Sequence, residues 1–167
     1  MAGQVRNRER AEMDKATQLV EFETMLLGRH SLRSRRGPDA MDRSAYILLS
    51  RLRMGGLMSI GQLSDALGLD ASTLNRQTAA MMRAGVLERI PDPEGGMARK
   101  FRVTSKGERR LNAERALIVD ALDSILADWP AEDIAAFVGY LRRFNTDIER
   151  RSGEYWPRPL ATLSADH

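Results

Sequence analysis

The chain contains no cysteine in its 167 residues, and its only histidines are His30 and His167. Without cysteine there can be no disulfide bond, no thiolate nucleophile and no thiol-based redox sensor. Two histidines are too few for a multi-histidine metal site within one chain. We therefore expect no metal site and no cofactor.

Other absences bear on location and chemistry. No apolar run approaches the about 18 residues that read as a membrane span, and the segment from Met1 to Lys15 lacks the apolar core of a signal peptide. A cytoplasmic protein without a membrane partner is expected. The sequence also shows no glycine-rich phosphate loop, no Ser/His/Asp set and no metal-ligand cluster, so we expect no enzyme.

Cations are unevenly distributed along the chain. The composition is that of a globular protein, with 43% hydrophobic and 29% charged residues and a net charge of +3. Seven arginines lie between Arg29 and Arg53 against Asp39 and Asp42, and four cations but no acid lie between Arg99 and Lys106. Such zones suit an acidic polymer such as double-stranded DNA, although an ordinary solvated surface would look the same.

The spacing of apolar residues predicts a mainly α-helical fold with a small β-wing. Helices are expected over 13–30, from Asp42 to Gly55, over about 61–67, and from a cap at Asp70 or Ser72 to a stop at Gly85. A short strand at Met58, strands over 86–90 and 99–104 around a turn, a long helix from Ser105 and a last helix from Pro130 complete the order.

The stretch from Met58 to Gly107 therefore has the order of a winged helix-turn-helix. The start of its second helix mixes small and polar residues, as a helix entering a DNA major groove requires. Arg76 could bind a guanine edge through two hydrogen bonds, and Asn75 or Gln77 could read adenine. A solvated helix face is the competing interpretation. The candidate base-reading residues are Ser72, Thr73, Asn75, Arg76 and Gln77.

Phosphate contacts are expected from the neighbouring basic segments. The basic loop over 31–39 and the helix after it would lie over the DNA backbone, and Lys100, Arg102 and Lys106 would do the same from the wing. Such contacts position a protein on DNA but do not select a sequence.

This region resembles the MarR family (multiple antibiotic resistance regulators). The resemblance is carried by Leu63-Ser64-Asp65-Ala66-Leu67-Gly68, Ser72-Thr73-Leu74-Asn75-Arg76, Gly85-Val86-Leu87-Glu88-Arg89, Pro91-Asp92-Pro93 and Val103-Thr104-Ser105-Lys106-Gly107. It implies a cytoplasmic, homodimeric transcriptional regulator, usually a repressor, that binds an inverted repeat. Wings of this family usually carry an arginine that reaches the minor groove. This arginine usually ends an Asp-x-Arg at the wing tip. The places of the Asp and the Arg hold Gly95 and Met97 here, and Arg99, two residues on, is the nearest replacement.

The resemblance also implies a division of the chain. We expect an N-terminal dimerisation helix over 1–30, a winged helix-turn-helix domain over 40–107, C-terminal dimerisation helices over 108–150 and a flexible tail over 151–167. The apolar stripes of the terminal helices agree with this, since one small winged domain cannot cover them all.

Many members of the family bind phenolic or other aromatic anions. Candidate residues for such an effector site are His30, Tyr46, Met25 and Arg33, although methionines and aromatics at helical spacing are more often plain core. An alternative reading of the whole chain is a winged-helix module that binds protein and has no specific DNA target.

Overall fold

A computed structural model describes residues 2–30 and 41–158, and it describes the side chains of the first helix from residue 13 onwards. The chain forms two units, Met1–Ser34 and Arg35–His167. The first contains α1 (Ala2–Arg29). The second contains α2 (Arg43–Gly55), α3 (Ile60–Leu67), α4 (Ala71–Arg83), β1 (Leu87–Ile90), β2 (Lys100–Val103), α5 (Ser105–Leu126) and α6 (Ala131–Ser152). The expected mainly α-helical fold with a small β-wing is confirmed.

Helix α1 begins at Ala2 and not near residue 13 as the apolar spacing predicted. Its first turns consist largely of polar residues with good helix propensity, so the helix extends beyond its apolar stripe. Large apolar side chains of α1 are exposed, among them Leu19 at 66% and Phe22 at 49%. The basic loop, with Arg33, lies outside the described residues.

The core of the second unit lies where α2, α3, α4 and the hairpin meet. Its side chains come from every one of these elements, and α5 adds one residue. Burial of each such side chain stabilises the fold by about 1.5–3 kcal/mol. The most deeply buried are Leu48, Leu49, Leu63, Leu74, Phe101 and Leu111.

Residues at the ends of α3 and before α4 set the boundaries of the helix-turn-helix. Ser59 caps α3 through a capping box with Gln62, in which each side chain accepts from the other residue's backbone N–H. Gly68 ends α3 in the left-handed region with φ of 61°. Asp70 occupies the position before α4, but its side chain makes no capping hydrogen bond.

The wing is a two-stranded antiparallel hairpin with Leu87 opposite Val103 and Ile90 opposite Lys100. The backbone N–H of Phe101 donates to the carbonyl of Met58 at 2.8 Å, so the strand expected at Met58 exists as a single bridge. Within residues 2–30 and 41–158, no helix combines the length and apolar composition that crossing a bilayer requires.

Candidate nucleic-acid interface

Helix α4 has one buried and one exposed side, as its sequence predicted. Leu74, Thr78 and Met81 are buried, and the Thr78 hydroxyl is satisfied by the Leu74 carbonyl at 2.8 Å. On the opposite side Ser72, Asn75 and Arg76 are exposed, and we call these three residues the reading face. They lie within the first two turns of α4, which is the part of a recognition helix that approaches bases most closely.

Two further predicted residues border the reading face. Thr73 is half-buried, and its hydroxyl lies 3.5 Å from the Arg76 guanidinium, which helps to hold that side chain over the first turn. Gln77 is also half-buried, and its Oε1 has no hydrogen-bond partner within the described protein. Gln77 lines a cavity of about 270 Å³ beside Asp42 and Ala45 at the start of α2. Gln77 is therefore less exposed than the residues of the reading face, although Arg76 lines the same cavity.

The wing places Lys100 in an ion pair. Its ammonium lies 2.9 Å from Asp92 and 3.6 Å from Glu94, and the Lys100 side chain is only 13% exposed. The hydrogen bond from Lys100 lowers the pKa of the Asp92 carboxyl, and the backbone N–H of Glu94 adds to this effect. The same bond to Asp92 raises the pKa of Lys100. Lys100 thus pairs with Asp92 within the protein, whereas the sequence suggested that it would contact a DNA phosphate.

The other wing cations differ in their surroundings. Arg102 pairs with Glu88 across the hairpin at 2.8 Å but remains more than half exposed. Lys106 donates to the carbonyl of Ala84 at 2.9 Å, at the end of α4. Arg99 is exposed beside the tip. Among the predicted wing residues, Arg99 and Arg102 are thus more accessible to DNA than Lys100.

Two of the three arginines of α2 also face the protein. Arg53 donates to Asn112 at 2.6 Å and lies 3.8 Å from Glu108, both on α5. The Arg51 guanidinium lies 5.8 Å from the ring centroid of Trp156, in a cation–π arrangement. The expectation that this helix contacts phosphates is therefore not supported at these two positions.

The contact with Trp156 was missed by sequence reasoning. The segment after α6 turns back to α2 and α3, and Arg158 forms two hydrogen bonds of 2.8 and 2.9 Å with Glu149. The one available signal was the aromatic pair Tyr155-Trp156 between Arg151 and Arg158. Trp156 also lines a cavity of about 480 Å³ with Ile47 and Ile148.

The predicted effector residues are distributed over both units. Met25 and His30 belong to the first unit, and both are exposed. Tyr46 is half-buried against the core of the second unit. Arg33 lies outside the described residues. The described residues hold no group of three or more side chains suited to a metal ion.

A core of three helices, a tight turn before an exposed polar helix and a hairpin after it define a winged helix-turn-helix, a class of DNA-binding fold. The MarR family model matches residues 41–96 of this chain. An uncharacterized HTH-type transcriptional regulator of Bacillus subtilis (strain 168), YxaD, is 28% identical over 131 residues, which is 77% of this chain and 92% of that protein. The chain is therefore similar to MarR family transcriptional regulators in the sequence of residues 41–96 and in its fold.

Solved structures agree with this fold. A MarR family protein from Bacillus stearothermophilus superposes with a TM-score of 0.65 at 24% identity, over 85% of this chain and 96% of that one. A mutant MarR from E. coli complexed with operator DNA gives a TM-score of 0.60 at 18% identity, over 80% and 95%. The PcaV regulator of Streptomyces coelicolor, in complex with its natural ligand, gives 0.51 at 23%, over 78% and 89%.

Proposed function

We propose that the chain is a homodimeric, cytoplasmic repressor that binds an inverted repeat in double-stranded DNA. The observation that carries this proposal is the reading face, whose side chains are exposed on α4 while the other side of the helix anchors it in the core. Arg76 reads guanine and Asn75 reads adenine, each through a pair of hydrogen bonds worth about 1–3 kcal/mol of discrimination.

The exposed apolar faces of α5 and α6 support the dimer. Among the described residues, no side chain of α6 is buried. Its large apolar residues include Phe137, Leu141 and Phe144, which follow one another at helical spacing and are 36–45% exposed. On α5, Leu117 and Ile125 are more than half exposed. A monomer would leave this surface in water, whereas a two-fold dimer buries it and sets two α4 helices about 34–36 Å apart for successive major grooves.

A small aromatic anion is proposed as the effector. It would relieve repression by binding the DNA-incompetent dimer more tightly than the DNA-competent one. The PcaV structure holds a natural ligand, which supports an effector as a general possibility for this fold. Salicylate added to a preformed DNA complex serves as the probe. Release of DNA by salicylate but not by acetate is the expected result.

Selection from a library of random duplexes tests the DNA target. The proposal predicts enrichment of one sequence with two-fold symmetry and half-sites about 10 base pairs apart. Enrichment of no sequence would reject specific DNA binding and favour the module that binds protein.

Sedimentation tests the dimer. Phe144→Glu places a charge in the proposed interface and is expected to give monomers that no longer bind the inverted repeat tightly. The matched variant Arg143→Glu changes a neighbouring exposed residue, which lies around the helix from Phe144. Monomeric wild-type protein at all concentrations would contradict the dimer.

A further inference from the structure

Met97, at the tip of the wing, is the large apolar side chain that is most exposed to solvent among the described residues. Its relative exposure is 103%, whereas the exposed large apolar residues of the helices range from 36% to 70%. Those helical residues form stripes that a second subunit can cover. Met97 lies alone on a loop, so a dimer that forms through the helices does not explain why this apolar side chain is exposed.

Hydrogen bonds order the turn that precedes Met97. The Asp92 carboxylate accepts hydrogen bonds from Lys100 at 2.9 Å and from the Glu94 N–H at 3.1 Å. The Gly95 N–H donates to the Asp92 carbonyl at 3.1 Å, with φ of 82° at Gly95. A Cβ on Gly96 would collide with the Asp92 carboxylate. The side chain that follows is therefore presented by a preorganised turn, which lowers the entropic cost of binding.

The tip has no positive charge, and its two charged residues, Asp92 and Glu94, are acidic. No cation occurs in the sequence from Asp92 to Ala98. Of the two cations that follow, Lys100 is paired with Asp92, whereas Arg99 is exposed. Phosphate contacts at this end of the wing therefore fall to Arg99, and the contribution of Met97 itself has to come from apolar contact.

The hairpin is also fixed to the end of the recognition helix. The Val86 N–H donates to the Met81 carbonyl at 3.1 Å, and Lys106 donates to the Ala84 carbonyl at 2.9 Å. With α4 in a major groove, the hairpin therefore has a set direction towards the flanking DNA. Gly95 and Gly96 precede Met97, and without side chains they let the backbone of the tip approach the sugar-phosphate chain closely.

We propose that Met97 enters the minor groove beside each half-site and wedges between two base pairs. This inference rests on the proposed function as a DNA-binding regulator. Minor-groove proteins insert methionine and other apolar side chains between base steps and so bend the duplex. Methionine is unbranched and flexible, so it fits a narrow opening. Pyrimidine–purine steps unstack most easily, and the wedge therefore selects such a step outside the bases that α4 reads.

The test uses the duplex that wild-type protein selects from a random library. Wild type, Met97→Ala, Met97→Leu and Met97→Arg are titrated on it at several salt concentrations. Met97→Ala is expected to weaken binding about ten-fold, because the apolar contact is lost, with no change in salt dependence. Met97→Leu keeps most of the affinity. Met97→Arg steepens the salt dependence by about 0.9 in the log–log slope, because a phosphate contact is added.

A fluorescent adenine analogue placed at successive steps outside the half-sites reports unstacking directly. Its emission is expected to rise at one step with wild type and to stay quenched with Met97→Ala. Because Met97 is fully exposed, the alanine variant keeps the wild-type melting temperature, which separates loss of contact from loss of fold. Equal affinity and equal emission for wild type and Met97→Ala would overturn the wedge. If wild type selects no duplex at all, the proposed function itself fails.

Discussion

The Thr104 hydroxyl donates a hydrogen bond of 2.7 Å to the carbonyl of Gly85, which joins the start of α5 to the turn after α4. The same hydroxyl accepts from the Gly107 N–H at 3.0 Å and so caps α5. One side chain thus connects the helix proposed to read DNA with the helix proposed to form the dimer. This contact gives a physical route by which a change between subunits could reorient α4.

Replacement of Thr104 by alanine removes both hydrogen bonds. We expect the free energy of unfolding to fall by about 1–2 kcal/mol, as for the loss of other helix caps. Thr104→Ser keeps the hydroxyl and recovers most of this. Urea unfolding followed by circular dichroism, at one protein concentration, measures the difference. Thr146→Ala on α6 is the control, because its hydroxyl bonds only within its own helix. Equal losses at Thr104 and Thr146 would contradict the capping role.

The Asp92–Lys100 pair predicts a pH dependence of stability. Because the pKa of Asp92 is lowered on folding, its contribution is present above the ordinary value of 3.8 and is lost as pH falls through the lowered value. Because the pKa of Lys100 is raised, its contribution persists to 10.5 and is lost as pH rises through the raised value. The melting temperature of the wild-type protein should therefore be higher than that of Asp92→Asn at neutral pH. This difference should disappear in acid. A difference in melting temperature that does not depend on pH would argue against the ion pair.

Gly107 lies where no side chain fits. A Cβ there would meet the Val86 carbonyl and would lie 2.7 Å from the Val103 side chain, so α5 and the base of the wing would have to separate. Gly107→Ala is expected to lower the free energy of unfolding by about 1–3 kcal/mol, the usual cost of overpacking. Gly139→Ala is the matched control, since nothing lies within 4 Å of its added Cβ. It should stabilise α6 by about 0.5–1 kcal/mol. A stabilising effect at both positions would contradict the close packing.

Trp156 should contribute to stability although it follows the last helix. Its ring covers the Arg51 guanidinium, and a partly desolvated cation–π contact is worth about 0.5–2 kcal/mol. Trp156→Ala is expected to lower the free energy of unfolding by about 1 kcal/mol, measured in urea. Tyr155→Ala serves as the comparison, because Tyr155 is 67% exposed and its loss should cost under about 0.5 kcal/mol. Equal free energies of unfolding for Trp156→Ala and Tyr155→Ala would show that Trp156 does not hold the segment after α6 against α2.

The parts of this structure that depend on local spacing were predictable. The burial of Leu74, Thr78 and Met81 and the exposure of Arg76 follow from the helical repeat, and the turn at Gly68 follows from residue type. The partners of charged residues were not predictable in the same way.

Lys100 and Arg102 looked like phosphate contacts because the sequence from Arg99 to Lys106 contains no acid. Their partners, Asp92 and Glu88, come from the other side of the hairpin, and only the register of the two strands brings them close. Arg51 similarly meets Trp156 across the fold. Local composition therefore indicated where cations are, but the fold decides which of them remain accessible to DNA.

Helix α4 is proposed to read DNA sequence through Arg76. Fluorescence anisotropy on the selected duplex and on a scrambled one, for wild type, Arg76→Ala and Arg76→Lys, tests it most directly. Because lysine keeps the charge but lacks the guanidinium fork, both variants should lose preference for the selected duplex by about 1–3 kcal/mol, while Arg76→Lys keeps the wild-type salt dependence. Unchanged preference in both variants would show that Arg76 does not read the DNA sequence.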